Sequence, residues 1–367
     1  MKYERTPRTP DAPSEVVQMP FSPEMVTVPV MEYPIPIREN FLRAARRDHP
    51  LWVPNALTDI KQVSGMELSR LPAEGQDTGR PPWGDDKRVD FTDDFGCVWT
   101  YVPEAGGAML KPNHPPRLDD ITRWEEEIVW PDLSKNDYIG AQRKFLRDNE
   151  GCEKVLHLNI GQSCTERLVA LLGGYTEAMV AMAEEPEAVK DFLMAFARFT
   201  VDSFQRMTQL AKMDFVTFHD DWGTEKNTFF SSAMMEQIVY EPTKLIIDAI
   251  KESGAVFELH SCGNISRFVP YMIDMGVDFI QLQRRANDVP ALKEKYGDKI
   301  GFNLGLEGVD VGAPIPPGQE MVELVHRTID LYAAGGGFYT MTMTNEPQIL
   351  WDVCQEVYWY SREYYEG

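Results

Sequence analysis

The chain has 367 residues, 43% hydrophobic and 26% charged, a balance that fits a globular protein of one large domain or two medium ones. Its 58 acidic and 36 basic side chains give a formal net charge of −22, which argues against nucleic acid or an anionic membrane as partner. No apolar run approaches the roughly 18–20 residues that span a bilayer, and no apolar signal-peptide core follows Met1. Cys97, Cys152, Cys164, Cys262 and Cys354 have no paired spacing, so a disulfide framework is excluded and a reducing cytoplasm is the expected location.

Residues 1–36 are rich in proline and read as an irregular lead-in, followed by a helix at 37–47 and a first strand at Leu51-Trp52-Val53-Pro54. The turn-rich stretch from about 58 to 117, with Pro81-Pro82-Trp83-Gly84 and Asp93 to Tyr101, reads as a small β cap whose aromatics pack on the body or form a lid. From about 118 strands and helices alternate. Helices are expected at 137–149, across 165–212, and at 232–252, 265–275, 288–296, 317–334 and the C-terminus. Strands are expected at 154–161, 215–221, 257–262, 278–283, 300–305 and 338–343.

Such alternation means a parallel sheet with crossover helices, and the count approaches eight. The expected fold is α/β, a (β/α)8 TIM-type barrel with an N-terminal extension and a small β-rich cap. In domain terms, residues 1–117 carry the extension, the first helix and strand and the β-rich cap packed on the barrel, and 118–367 form the barrel body, in a single structural domain overall. A doubly wound sheet ranks second, since no G-x-G-x-x-G is present. Within the strands Leu156, Leu158 and Ile160 oppose His157 and Asn159; Ile280 and Leu282 oppose Gln281 and Gln283; Phe302 and Leu304 oppose Asn303. A polar inner face repeated from strand to strand implies a wide pocket rather than a filled lumen.

The stretch Phe257 to Gly263 concentrates the chemistry. Read as a strand, Glu258, His260 and Cys262 share one face at intervals of about 6–7 Å. Carboxylate, imidazole and thiol are the three side-chain types zinc takes. The alternative is a small core cysteine beside a satisfied buried histidine.

Several segments resemble the uroporphyrinogen decarboxylase superfamily, in its cobalamin-dependent methyltransferase branch. They are Arg38 to Ala44, Ile128-Val129-Trp130-Pro131-Asp132, His219-Asp220-Asp221-Trp222-Gly223, His260-Ser261-Cys262-Gly263-Asn264-Ile265 and Gly335-Gly336-Gly337-Phe338. The resemblance implies a barrel, a zinc bound by His-x-Cys plus a distant cysteine, and methyl transfer to or from a corrinoid carried by a partner protein. Two departures stand out. The arginine-bearing N-terminal motif of true decarboxylases is replaced by Leu51-Trp52-Val53-Pro54-Asn55-Ala56. The late zinc cysteine is missing at Thr342-Met343-Thr344-Asn345-Glu346-Pro347.

The metal set expected is therefore Glu258, His260 and Cys262, with Glu307, Glu346 and Cys354 as secondary candidates, or no zinc at all. His219, Asp220 and Asp221 are the expected catalytic residues. His157, Asn159, Trp222, Gln281, Gln283, Asn303, Met341 and Asn345 are candidate substrate contacts. A donor set poor in sulfur suits removal of a methyl group from oxygen, so the expected activity is demethylation of a small methoxylated, aromatic substrate onto the cob(I)alamin of a corrinoid protein. The alternatives are zinc-dependent transfer from methyl-corrinoid to a thiol or folate, a decarboxylase, and a binding module without turnover.

Overall fold

The computed structural model describes residues 4–19, 24–70, 87–103, 107–161, 164–344 and 346–367. In chain order its strands are β1 (Ser14–Gln18), β2 (Met25–Pro29), β3 (Ile60–Val63), β4 (Val89–Thr92), β5 (Val98–Val102) and β6 (Gly107–Leu110). They continue with β7 (Val155–Ile160), β8 (Phe215–His219), β9 (Val256–Ser261), β10 (Phe279–Leu282), β11 (Gly301–Leu304) and β12 (Phe338–Thr340). The main sheet has seven strands in the order β12-β11-β10-β9-β8-β7-β3, and two small sheets, β1-β2 and β4-β5-β6, stand apart. The fold is α/β, of the TIM-barrel type, with an N-terminal extension and a small β-rich cap. Among the described residues the main sheet holds seven strands, one short of the expected eight. No helix among the described residues is long and apolar enough to cross a membrane.

The chain forms two compact units. One comprises residues 1–62, 151–157 and 277–367; the other comprises 63–150 and 158–276.

In the first unit the N-terminal lead-in, expected to be irregular, carries a pair of strands. β1 and β2 pair antiparallel from Ser14 with Pro29 to Gln18 with Met25. Val26 and Val28 are buried. Pro29 lies at a strand end, where it costs no ladder hydrogen bond. The first barrel strand begins later than expected, at Ile60, yet the segment before it seals the sheet. The N–H of Ala56 donates to the carbonyl of Thr340, the N–H of Thr340 to Pro54, and the N–H of Val155 to Asp59. Residues 54–59 thus hydrogen-bond to both β12 and the start of β7. Asp59 stabilises this seam from inside, accepting from Trp52 Nε1 at 2.7 Å and from the Tyr33 hydroxyl at 2.9 Å. Phe41, from the Ile37–Arg46 helix, packs against Phe279 and Tyr339 with ring centroids 5.9 Å away in each case.

In the second unit, the Pro186–Met207 helix starts with proline in its first turn and buries Val189, Phe192, Leu193, Phe196, Ala197 and Phe204, a stripe at helical spacing. The helix expected over 232–252 is broken by a π turn at Met235–Val239, just before the Tyr240–Glu252 helix. Pro242 explains the break, because it has no N–H to donate to the residue four positions back. Among the described residues the cap is held by packing. Phe95, Trp99 and Tyr101 are buried. Asp93 accepts from the N–H groups of Phe95 and Cys97 and from Trp99 Nε1, and pairs with Arg167 at 2.5 Å. Pro81 to Gly84 lies outside the described residues.

Candidate metal centre

The site grows from the carboxyl ends of β8 and β9, which run parallel with His219 level with His260. Two residues further along each strand this register brings Asp221 beside Cys262. The N–H of Cys262 donates to Asp221 Oδ1 at 2.7 Å. His260 Nε2 stands 3.4 Å from Cys262 Sγ and 3.7 Å from Asp221 Oδ1. One donor atom from each of the three lies within 4.8 Å of the others.

These separations can be tested against zinc. Ligand bonds of about 2.0–2.3 Å in a tetrahedron put donor atoms about 3.3–3.8 Å apart, being 1.63 times the bond length. Both the 3.4 Å and 3.7 Å separations fall in that interval. Imidazole nitrogen, thiol sulfur and carboxylate oxygen are all zinc donors, and three protein ligands leave the fourth position open for chemistry. The residues present fit the metal.

The expected set changes by one member. Glu258 does not join His260 and Cys262. It lies one strand repeat deeper, fully buried, and accepts from Thr217 Oγ1 at 2.9 Å. Asp221, expected to be catalytic, takes its position in the cluster. His219 borders the cluster, its ring centroid 4.6 Å from that of His260 and its Nε2 3.3 Å from Asn159 Oδ1.

Asp220 has a different role. Fully buried, it accepts from Thr165 Oγ1 at 2.7 Å, Glu166 N–H at 3.1 Å and Trp222 Nε1 at 2.8 Å. It thereby holds the N-terminus of the Cys164–Leu172 helix against the end of β8. Burial pushes its carboxyl up to about 7, against the lowering effect of hydrogen bonds from Thr165 and Trp222. Trp222, expected to touch substrate, is fully buried and packs edge-on against Phe230 and Phe268. Both residues are anchors of the site.

A pair of glycines fixes the loop that carries Cys262. Gly263 has φ +81°, and a Cβ there would lie 2.1 Å from the carbonyl oxygen of Gly223. Only glycine allows this approach of two backbones. The N–H of Asn264 then donates to Thr224 at 2.7 Å, and the Trp222 N–H to Ser261 Oγ at 3.0 Å.

The remaining candidates belong to the other compact unit. His157 is buried, and burial pushes its imidazole down to about 3, so it stays neutral. Gln281 Nε2 stands 3.7 Å from Met341 Sδ, and Asn303 donates to the Tyr339 hydroxyl. Gln283 is exposed. The secondary metal candidates are otherwise engaged or isolated. Glu307 pairs with Arg284 at 3.0 Å and accepts from the Tyr332 hydroxyl at 2.6 Å. Cys354 is buried on the last helix beside Asn55, and burial pushes its thiol up to about 12. Glu346 is exposed, and Asn345 lies outside the described residues.

Residues 164–305 match the family model described as Uroporphyrinogen decarboxylase (URO-D). That segment carries Asp220, Asp221, His260 and Cys262. No curated protein matches the chain. Among solved structures, a methyltransferase from Methanosarcina mazei superposes with a TM-score of 0.60 at 13% identity, covering 91% of this chain and 100% of that one. At that identity the likeness is one of fold. The catalytic domain of a GH26 endo-β-1,4-mannanase from Bacillus sp. JAMB-750 covers 91% of this chain and 90% of its own at 10% identity, with a TM-score of 0.40. A sugar phosphate isomerase/epimerase from Parabacteroides distasonis covers 61% of this chain and 80% of its own at 10% identity, with a TM-score of 0.35. Neither of these two bears on function.

Sequence reasoning missed Tyr175 and Phe229, whose rings stack with centroids 4.6 Å apart and planes at 26°. Phe229 is tied to the site, since its N–H donates to the carbonyl of Trp222 at 2.8 Å. No local motif marks either residue. Only the hairpin that returns Phe229 beside Trp222 could have signalled it.

Proposed function

We propose that the chain is a methyltransferase that removes the methyl group of a small methoxylated aromatic substrate and passes it to the cob(I)alamin of a partner corrinoid protein. The observation that carries this reading is the Asp221, His260 and Cys262 cluster at the ends of β8 and β9. Zinc held by these three residues would supply Lewis acidity to the ether oxygen. The reduced corrinoid would accept the methyl group as the carbon–oxygen bond broke, leaving a phenolate oxygen that must gain a proton. His219, adjacent to His260 and oriented by Asn159, is positioned to hold that proton. Asp220 and Trp222 keep the cluster in place from below. A donor set with one thiol and one carboxylate favours oxygen activation over a thiolate acceptor, for which sulfur-rich ligation is the expectation.

Metal analysis and single-turnover methyl transfer test this reading. The purified protein should carry about one zinc, lost in His260→Ala, Cys262→Ala and Asp221→Ala and kept in Glu258→Gln. With 2-methoxyphenol and free cob(I)alamin, wild type should form methylcobalamin and catechol, and His219→Ala should keep zinc while slowing transfer by roughly 100-fold or more. A zinc-loaded protein that demethylates neither methoxyarenes nor any other methyl donor would sink the proposal. The family description favours a decarboxylase as second reading. Release of CO2 from an aryl or porphyrin acid would establish that instead.

A further inference from the structure

Tyr175 opens the Tyr175–Glu184 helix directly after Gly174, and its large side chain is 43% exposed. One face of its ring is covered by Phe229. Phe229 is the return arm of a hairpin that starts at Trp222 and is closed by the antiparallel bridge between Gly223 and Thr228. The same hairpin is fixed to the Cys262 loop through Ser261 and Asn264. Phe229 is therefore tied through this hairpin to the loop that carries Cys262, and Tyr175 stacks on Phe229. Burial raises the Tyr175 hydroxyl well above its usual range, helped by the negative charge of Asp221, Glu166, Asp220 and Cys262. Tyr175 thus remains a neutral phenol.

A cluster of carboxylate, imidazole and thiol offers a ligand no apolar contact. An exposed aromatic face backed by a second ring supplies what is missing, because planar rings prefer offset stacking at centroid distances of about 4.5–7 Å. We infer that Tyr175, backed by Phe229, is the stacking platform that holds the planar ring of the substrate beside the Asp221, His260 and Cys262 cluster. The inference rests on the proposed methyl transfer from an aromatic ether and names the residues that select the ring. Tyr175 acts through its ring, so its hydroxyl is dispensable for binding.

Calorimetric titration of 2-methoxyphenol and of methoxycyclohexane tests it, using wild type, Tyr175→Phe and Tyr175→Ala, each with and without added zinc. The aromatic ether should bind wild type and Tyr175→Phe alike and more tightly than its saturated counterpart. Tyr175→Ala should weaken it roughly 3–10-fold and erase the preference. Unchanged binding in Tyr175→Ala, no preference for the aromatic ether, or no binding to folded wild type overturns the inference. The two readings fail separately. Aromatic preference without zinc uptake rejects the metal centre alone, and stoichiometric zinc without aromatic preference rejects the platform alone.

Discussion

Replacing Gly263 by alanine tests how far the metal centre depends on a contact between two backbones. The residue sits at φ +81°, where an L side chain costs about 1–2 kcal/mol over glycine. Its new Cβ would lie 2.1 Å from the oxygen and 2.2 Å from the carbon of the Gly223 carbonyl, and 2.7 Å from the Thr224 nitrogen. These atoms are main chain, so no rotamer change relieves the overlap. Separating the two loops adds about 1–3 kcal/mol, as over-packing does elsewhere. It also stretches the Asn264 to Thr224 hydrogen bond and shifts Cys262 against Asp221. The expected total is about 2–5 kcal/mol of lost stability, with zinc affinity reduced by about tenfold or more, the size of effect seen when support around a metal ligand is removed. Urea denaturation reads the first quantity and chelator competition the second. A loss under about 1 kcal/mol together with unchanged zinc affinity would refute the close approach of the loops as the device that sets the donor separations.

Asp220 should prove structural. Asp220→Ala leaves the buried donors of Thr165, Glu166 and Trp222 without an acceptor and should cost at least about 3 kcal/mol in urea denaturation, whereas Asp220→Asn, which keeps one acceptor oxygen, should lose less. A cost for Asp220→Ala below about 1 kcal/mol would return the residue to the candidate catalytic set. In the first unit, burial works to raise the carboxyl of Glu356, but hydrogen bonds from Arg5 and His326 outweigh it and hold it below its ordinary 4.5. A depressed carboxyl contributes stability that is present above the unfolded value and fades as pH falls through the folded one. Glu356→Gln should therefore cost about 1–3 kcal/mol at pH 7, and this difference should shrink steadily in denaturation curves taken below about pH 4.5. A difference independent of pH would show that the carboxylate charge plays no part there.

The sequence patterns that survived folding were those set by local periodicity. Alternation of strands and helices after residue 118 was legible because each helix needs an apolar stripe, as Val189, Phe192, Phe196 and Phe204 provide, and each barrel strand an apolar run. The N-terminal hairpin escaped notice because its prolines read as breakers, although Pro29 falls at a strand end. The strand expected at 51–54 was misplaced for a related reason. Trp52 and Val53 are buried as a strand's residues would be, but they belong to the segment that runs into β3, where Trp52 donates to Asp59 and Val53 to Ser361.

At the site, the alternation of His260 and Cys262 marked the strand on which the cluster forms, but Asp221 and not Glu258 stands beside them. A strand read alone offers as neighbours only its own alternate residues, so Glu258 was the natural choice. What decides the matter is register between strands, a property that one strand's sequence does not contain. With His219 level with His260, Glu258 is level with Thr217 and hydrogen-bonds to it, deep in the sheet. The same register brings Asp221 level with Cys262 just beyond the last paired residues, where the chain leaves the pleat and both side chains can turn toward His260. The donor set is thus a consequence of where two parallel strands end together. A change that slipped β8 by one residue against β9 would dismantle it while leaving every ligand in the sequence.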